Sequence, residues 1–204
     1  MKILIFGIHP DDIELGCGAL ISNIINDVEV FCITLSDNQK NPLLKNVVNE
    51  CNESMHSLGV DKDHRFVESF ETRRFKHDRQ EILEYLLSMN RKYQPDTVFV
   101  HTNSDLHQDH QTVTQESLRA FRGISLFGYD VIRSSHGFSP KLLIEVNESD
   151  VERKIKSLAC YKTYQDKYYF SPELTRSILI RNGALAERKY AEGFNIFRVI
   201  STKK

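Results

Sequence analysis

The sequence predicts an α/β domain built on a mostly parallel sheet with helices on both faces. Short apolar runs recur along the chain ("KILIFGI", "VEVFCITLS", "DTVFV"), and segments with apolar residues at helical spacing separate them. The length of 204 residues suits one such domain, spanning 1–204.

Lys2 to Ile8 reads as a buried strand, interrupted only by Gly7. Ile13 to Asn26 ("IELGCGALISNIIN") has helical spacing, with Asp11 or Asp12 as N-cap and Glu14 in the first turn. Val28 to Ser36 is a second buried strand, followed by the polar "DNQKNP" loop. Leu43 to Leu58 reads as a helix stopped by Gly59, Arg65 to Glu68 as a short strand, and Arg79 to Tyr93 as a helix ended by the Pro95 turn. Asp96 to Thr102 is the next buried strand, and His110 to Phe121 is the helix after its loop. This alternation implies parallel pairing. Past Gly123 the pattern loosens. "LFGYDV" and "KLLIEV" predict strands, Glu152 to Tyr161 and Pro172 to Lys189 predict helices, and Phe194 to Ile200 is a strand or an irregular closing segment. We expect this part to act as a C-terminal subdomain that completes the sheet and walls a site.

Composition narrows the class of partner. Lys and Arg number 27 against 28 acids, which argues against nucleic acid or a membrane surface as the main partner. No apolar stretch approaches the roughly 18 residues of a transmembrane helix. The start shows no signal-peptide pattern, and the four cysteines are scattered without a C-x-x-C pair. A cytoplasmic protein is expected, and homo-oligomerisation stays open.

Two motifs carry the chemistry. "HPDD" (His9 to Asp12) follows the first strand, and "NSDLHQDHQTV" follows the Asp96–Thr102 strand, so both stand at carboxyl ends, where open parallel sheets bind ligands. Together they offer three His (His9, His107, His110) and four Asp (Asp11, Asp12, Asp105, Asp109). Zinc favours imidazole and carboxylate donors, with three protein ligands at a catalytic site. His9 and Asp12 are close enough along a turn to share an ion, and His110 can supply the third ligand. Asp11 would then be free to act as base for an acidified water. A dication between the paired acids would also remove their repulsion. On residue type alone, Asp105 and Asp109 serve equally well as cap and first-turn acids. His101 is expected to be structural, and His56, His64 and His77 solvated.

"HPDDIELGCGA" and "DLHQDH" resemble the two signature motifs of the PIG-L/LmbE-like deacetylases. The likeness continues through "KIKSLACYKTYQ" (Lys154 to Gln165) and "YAEGFNIFRV" (Tyr190 to Val199), in the family's order. The resemblance implies a Rossmann-like α/β sandwich and a zinc (Zn2+) hydrolase that removes N-acetyl groups from glucosamine-type conjugates. By motif position His9, Asp12 and His110 resemble the zinc ligands and Asp11 the general base. His107 resembles the second active-site His, which steadies the oxyanion or protonates the leaving amine. Asp109 would orient His107, and Glu14 would have a supporting role. Many members carry an Arg where this chain has Val47, so Lys45 or Arg74 is expected to hold the small-molecule amino-sugar conjugate instead.

Two rival functions remain at this stage. Two His and one carboxylate also describe non-haem Fe2+ oxygenases, and a sugar-conjugate binding protein could keep the fold without turnover.

Overall fold

The computed structural model describes residues 1–38 and 40–201. Strand β1 (Lys2–Gly7) lies inside the sheet, paired in parallel with β2 (Glu29–Thr34) on one side and β4 (Thr97–His101) on the other. Strands β3 (Arg65–Val67) and β5 (Ser125–Tyr129) extend this parallel arrangement. β7 (Ala191–Arg198) then pairs antiparallel with both β5 and β6 (Leu142–Glu145), giving seven strands in the order β3-β2-β1-β4-β5-β7-β6. The segment past Gly123 therefore completes the same sheet.

Six α-helices, among the described residues, cover its faces: α1 (Asp12–Ile24), α2 (Val47–Ser57), α3 (Arg79–Tyr93), α4 (Gln108–Ala120), α5 (Glu148–Leu158) and α6 (Pro172–Leu185). The apolar run of β1 is continuous because both faces are buried. Ile3 and Ile5 pack with Cys17, Ile21, Met55 and Leu158, beneath α1, α2 and α5. Leu4 and Phe6 pack with Ile82, Leu86, Val113 and Phe121, beneath α3 and α4. No helix among the described residues is long and apolar enough to cross a membrane.

Three departures from expectation have local causes. The helix expected from Leu43 begins at Val47, because Pro42–Leu44 forms a separate 3-10 turn that leaves Leu43 84% exposed. Helix α5 starts at Glu148 rather than Glu152, since the Asn147 side chain accepts the Asp150 N–H while the Asp150 carboxylate accepts the Asn147 N–H. His64 is not fully solvated, and its ring lies 4.2 Å from that of Phe31.

Helix α1, which follows "HPDD", is fixed from outside. Lys154 Nζ of α5 donates to the Leu15 carbonyl and to Glu192 Oε1 of β7, both at 2.6 Å. The Glu192 carboxylate in turn accepts the Ala19 and Leu20 amides at 3.2 and 2.6 Å. This buried pair explains the Lys154 and Glu192 positions of the two C-terminal motifs. Gly16 lets α1 approach β5, where an added Cβ would collide with the Tyr129 ring. Tyr129 is fully buried, with its hydroxyl on the Phe6 carbonyl at 2.7 Å, so it has little room to move. Gly16→Ala should therefore destabilise the fold by about 1–3 kcal/mol through overpacking, outweighing a helix-propensity gain of about 1 kcal/mol. Urea unfolding would measure it, and an unchanged or higher midpoint would refute the packing argument.

Candidate active site at the switch between β1 and β4

From β1 the chain builds outward through β2 and β3 on one side, and β4 and β5 extend the other. The crevice between the ends of β1 and β4 is thus the topological switch point of the sheet. "HPDD" and the loop after β4 meet there.

The first motif folds into a tight turn. Asp11 has φ 110°, a left-handed conformation uncommon outside glycine, and its side chain makes no cap hydrogen bond to α1. The residue lines the adjoining cleft instead. Asp12 Oδ2 accepts the backbone N–H groups of Ile8 (3.1 Å) and His9 (2.8 Å). Neither acid is a simple side-chain cap.

Donor atoms from the two motifs converge. His9 Nδ1 lies 3.1 Å from His110 Nε2 and 3.5 Å from Asp12 Oδ2, and His110 Nε2 lies 3.3 Å from Asp12 Oδ2. Around a tetrahedral zinc ion, with bonds of about 2.0–2.1 Å, donors stand about 3.3 Å apart. Two wider groupings, His9–His107–His110 and Asp12–His101–His110, share donor atoms within 4.8 Å of one another.

The surrounding residues set the proton positions. His110 Nδ1 stands 2.8 Å from Asp105 Oδ2, so neutral His110 carries its proton there and turns a bare Nε2 towards Asp12. His9 Nε2 faces Asp109 Oδ2 at 3.4 Å without a hydrogen bond, and with its proton there His9 turns a bare Nδ1 towards the same point. Three lone pairs then face one another in a buried space, an arrangement that calls for a cation.

Asp105 is the residue that the sequence underrated. Besides His110, its carboxylate takes the His107 N–H (2.8 Å) and the Ser134 hydroxyl (2.9 Å), tying the β4 loop to the loop after β5. Burial opposes its ionisation, but bonding to His101 and His110 prevails and holds its carboxyl well below the usual range. His101 ends β4 as expected but also forms the floor of the site. It is fully buried, stacks on His110 at 3.7 Å, and places Nε2 3.0 Å from the Tyr129 hydroxyl and 3.3 Å from Asp12 Oδ2.

His107 stands over the other side of His110, with ring centroids 4.4 Å apart. Its Nδ1 accepts the Asp109 N–H at 3.2 Å, which puts its own proton on Nε2. Burial, then His110 and His9, push its pKa down to about 4. Burial and the neighbouring Asp12 raise Asp11. Glu14 is buried against the Tyr161 hydroxyl (2.7 Å), and burial lifts its pKa to about 7.

Three expectations need correcting. The Asp109 carboxylate reaches His9 and the Arg73 N–H (2.8 Å), whereas its link to His107 runs through its own backbone amide. Arg74 and Lys45 are exposed and do not line the cleft. The chain turns at Arg73 (φ 68°), which occupies the wall instead of Arg74, and the 3-10 turn presents Pro42–Leu44 there instead of Lys45. The cleft itself, about 830 Å³, runs from His9, Asp11 and His107 out to Arg133, Tyr164 and Tyr169. Of the polar loop Asp37 to Pro42, Asn38, Lys40, Asn41 and Pro42 border it, and Gln39 lies outside the described residues.

Fold and site together define an α/β protein of the LmbE-like deacetylase type. The family model of GlcNAc-PI de-N-acetylase, PIG-L, matches residues 4–121, more than half of the chain, and the chain belongs to that family. A curated relative, the uncharacterized deacetylase YaiS of Escherichia coli K12, is 26% identical over 168 residues, covering 79% of this chain and 90% of its own. Among solved structures, N,N'-diacetylchitobiose deacetylase from Pyrococcus horikoshii superposes with a TM-score of 0.78 at 20% identity, covering 96% of this chain and 83% of that one. The 4-carboxy-2-hydroxymuconate hydratase GalB from Pseudomonas putida KT2440 superposes with a TM-score of 0.77 at 15% identity, covering 100% and 98%. At these identities the structures speak for the fold alone, which hosts more than one reaction.

Proposed function

We propose that the protein is a zinc-dependent N-deacetylase that releases acetate from an N-acetylated amino sugar of the N-acetylglucosamine type. The observation that carries this reading is the buried convergence of His9 Nδ1, Asp12 Oδ2 and His110 Nε2, three lone-pair donors at tetrahedral spacing beside a free carboxylate. These three would hold the ion. A dication bound there supplies Lewis-acid polarisation of the acetamide carbonyl and a more acidic water.

The chain's own groups do the rest. Asp11, uncommitted to the helix cap, takes a proton from the attacking water. His107, neutral and protonated on Nε2, donates to the oxygen that becomes anionic as the carbonyl turns tetrahedral. Asp11 then returns its proton to the departing nitrogen, leaving acetate and the free amine. His101 and Asp105 keep His110 in one orientation, and Asp109 does the same for His9.

Apo-protein reloaded with zinc, and separately with Fe2+, should be screened for acetate release against N-acetylglucosaminyl compounds, with oxygen uptake followed in parallel. Acetate release dependent on added metal is expected. Oxygen uptake without acetate would replace hydrolysis by the oxygenase alternative. Binding with neither would leave a sugar-binding protein.

The supporting carboxylate has its own prediction. Asp105→Asn should weaken metal affinity about 10–100-fold, read by competition with a chromogenic chelator. An unchanged affinity would mean that Asp105 organises only the loops.

A further inference from the structure

A second cavity, of about 300 Å³, shares only Tyr169 with the cleft. It is walled by α1, α5, α6, β7 and the loop that follows β5. Four charged residues line it: Asp130, Lys154, Arg181 and Glu192. Lys154 and Glu192 satisfy each other at 2.6 Å while they hold α1. Arg181 is exposed, and its Nη1 donates to Asn182 Oδ1 at 3.1 Å. Asp130 has no ion pair among the described residues. Its Oδ1 is buried without a hydrogen-bond partner, and so is the hydroxyl of Ser135 on the same wall. Burial pushes the Asp130 carboxyl up, and the attraction of Lys154 and Arg181 does not cancel it.

A buried carboxylate oxygen without a donor is costly, and a cationic N–H relieves that cost best. An ammonium has three such donors, enough for Asp130 Oδ1 and the Ser135 hydroxyl together. Leu15, Ile132, Phe138, Ile178 and Leu179 make the remaining wall apolar. A metal ion would leave that wall unused, and an anion would meet the Asp130 carboxylate. The volume stands at the lower end of the range for ligand cavities, about 300–1,000 Å³, so the guest is small.

We propose that this cavity is a binding site, separate from the cleft, for a small organic amine. Its ammonium sits on Asp130 and Ser135, and its apolar body lies against Ile132, Phe138 and Ile178. The proposal does not depend on the reaction in the cleft. The two sites are joined by one loop, since the Ser134 hydroxyl beside this cavity donates to Asp105 at 2.9 Å.

The test is calorimetry on the zinc-loaded full chain with phenethylamine, 2-phenylethanol and phenylalanine. Phenethylamine should bind about 10–100-fold more tightly than the alcohol, the range for a hydrogen bond to a charged group. Asp130→Asn should remove that advantage, and Ser135→Ala should reduce it less. Ile178→Trp, which fills a half-buried wall position, should block both ligands and keeps the test open if Asp130→Asn does not fold. Phenylalanine binding still more tightly, with the gain lost in Arg181→Gln, would make the amine an amino acid. Weaker binding of phenylalanine would make it a simple amine. Equal affinity for amine and alcohol, or no saturable binding, would overturn the proposal and leave a cavity that water fills. An amine preference that survives Asp130→Asn would overturn it too. Its loss in Asp11→Asn would then place the amine in the cleft. Acetate release enters none of these readings, so the deacetylase stands or falls separately.

Discussion

Asp11→Asn should lower kcat about 10²–10⁴-fold, the usual contribution of a positioned general base, while the variant keeps its metal. The structure separates the two effects because the carboxylates have different tasks. Asp12 faces the two imidazoles and accepts the Ile8 and His9 amides, so the turn does not need the Asp11 carboxylate. Asp11 sits at φ 110°, a conformation that Asn tolerates better than most residues, so the substitution should leave the backbone in place. Stopped-flow acetate detection beside elemental analysis would make the comparison. Near-normal turnover with zinc bound would remove Asp11 from the mechanism. A metal-free variant would make it a ligand instead.

His110→Ala should have the larger effect on metal. It removes one of three donors and leaves the Asp105 carboxylate buried with less to hold it. Metal affinity should fall by more than the roughly 10–100-fold typical of losing a supporting residue, and activity should fall with it. His107→Ala provides the control, since its Nδ1 is committed to the Asp109 amide and its ring stands outside the tight His9–Asp12–His110 triangle. That variant should bind zinc as the unaltered protein does and lose turnover. Equal metal loss in both would mean that His107 belongs to the ligand set, in place of Asp12 or beside it.

The parts of the molecule that were readable from sequence are those governed by local pattern. β1 appears as an unbroken apolar run because its neighbours cover both faces, and α3 occupies the expected Arg79–Tyr93 because its ends carry ordinary stop signals. The two motifs were recognisable because each stands directly at a strand's carboxyl end. What escaped depends on distance in space. Asp105 and His110 are five residues apart at the start of a helix, a spacing with no face in common, and only the folded loop brings them to 2.8 Å. Asp109 lies two residues from His107, but its carboxylate turns to His9, a hundred residues upstream. The cleft wall draws on 38, 40–44, 72–73, 133, 163–164, 167 and 169, so no single window of sequence could show that Arg73 lies on it and Arg74 does not.

The Lys154–Glu192 clip on α1 also orders events in time. The amides of Ala19 and Leu20 wait for a carboxylate 173 and 172 residues further along the chain. During synthesis the helix that carries Asp12 and Glu14 emerges well before the partner that fixes its middle. Contacts of such separation form only after the intervening chain has closed. A nascent chain that lacks β7 would hold the Lys154 ammonium without its carboxylate, so the turn that carries Asp12 gains its final setting only once β7 has been made.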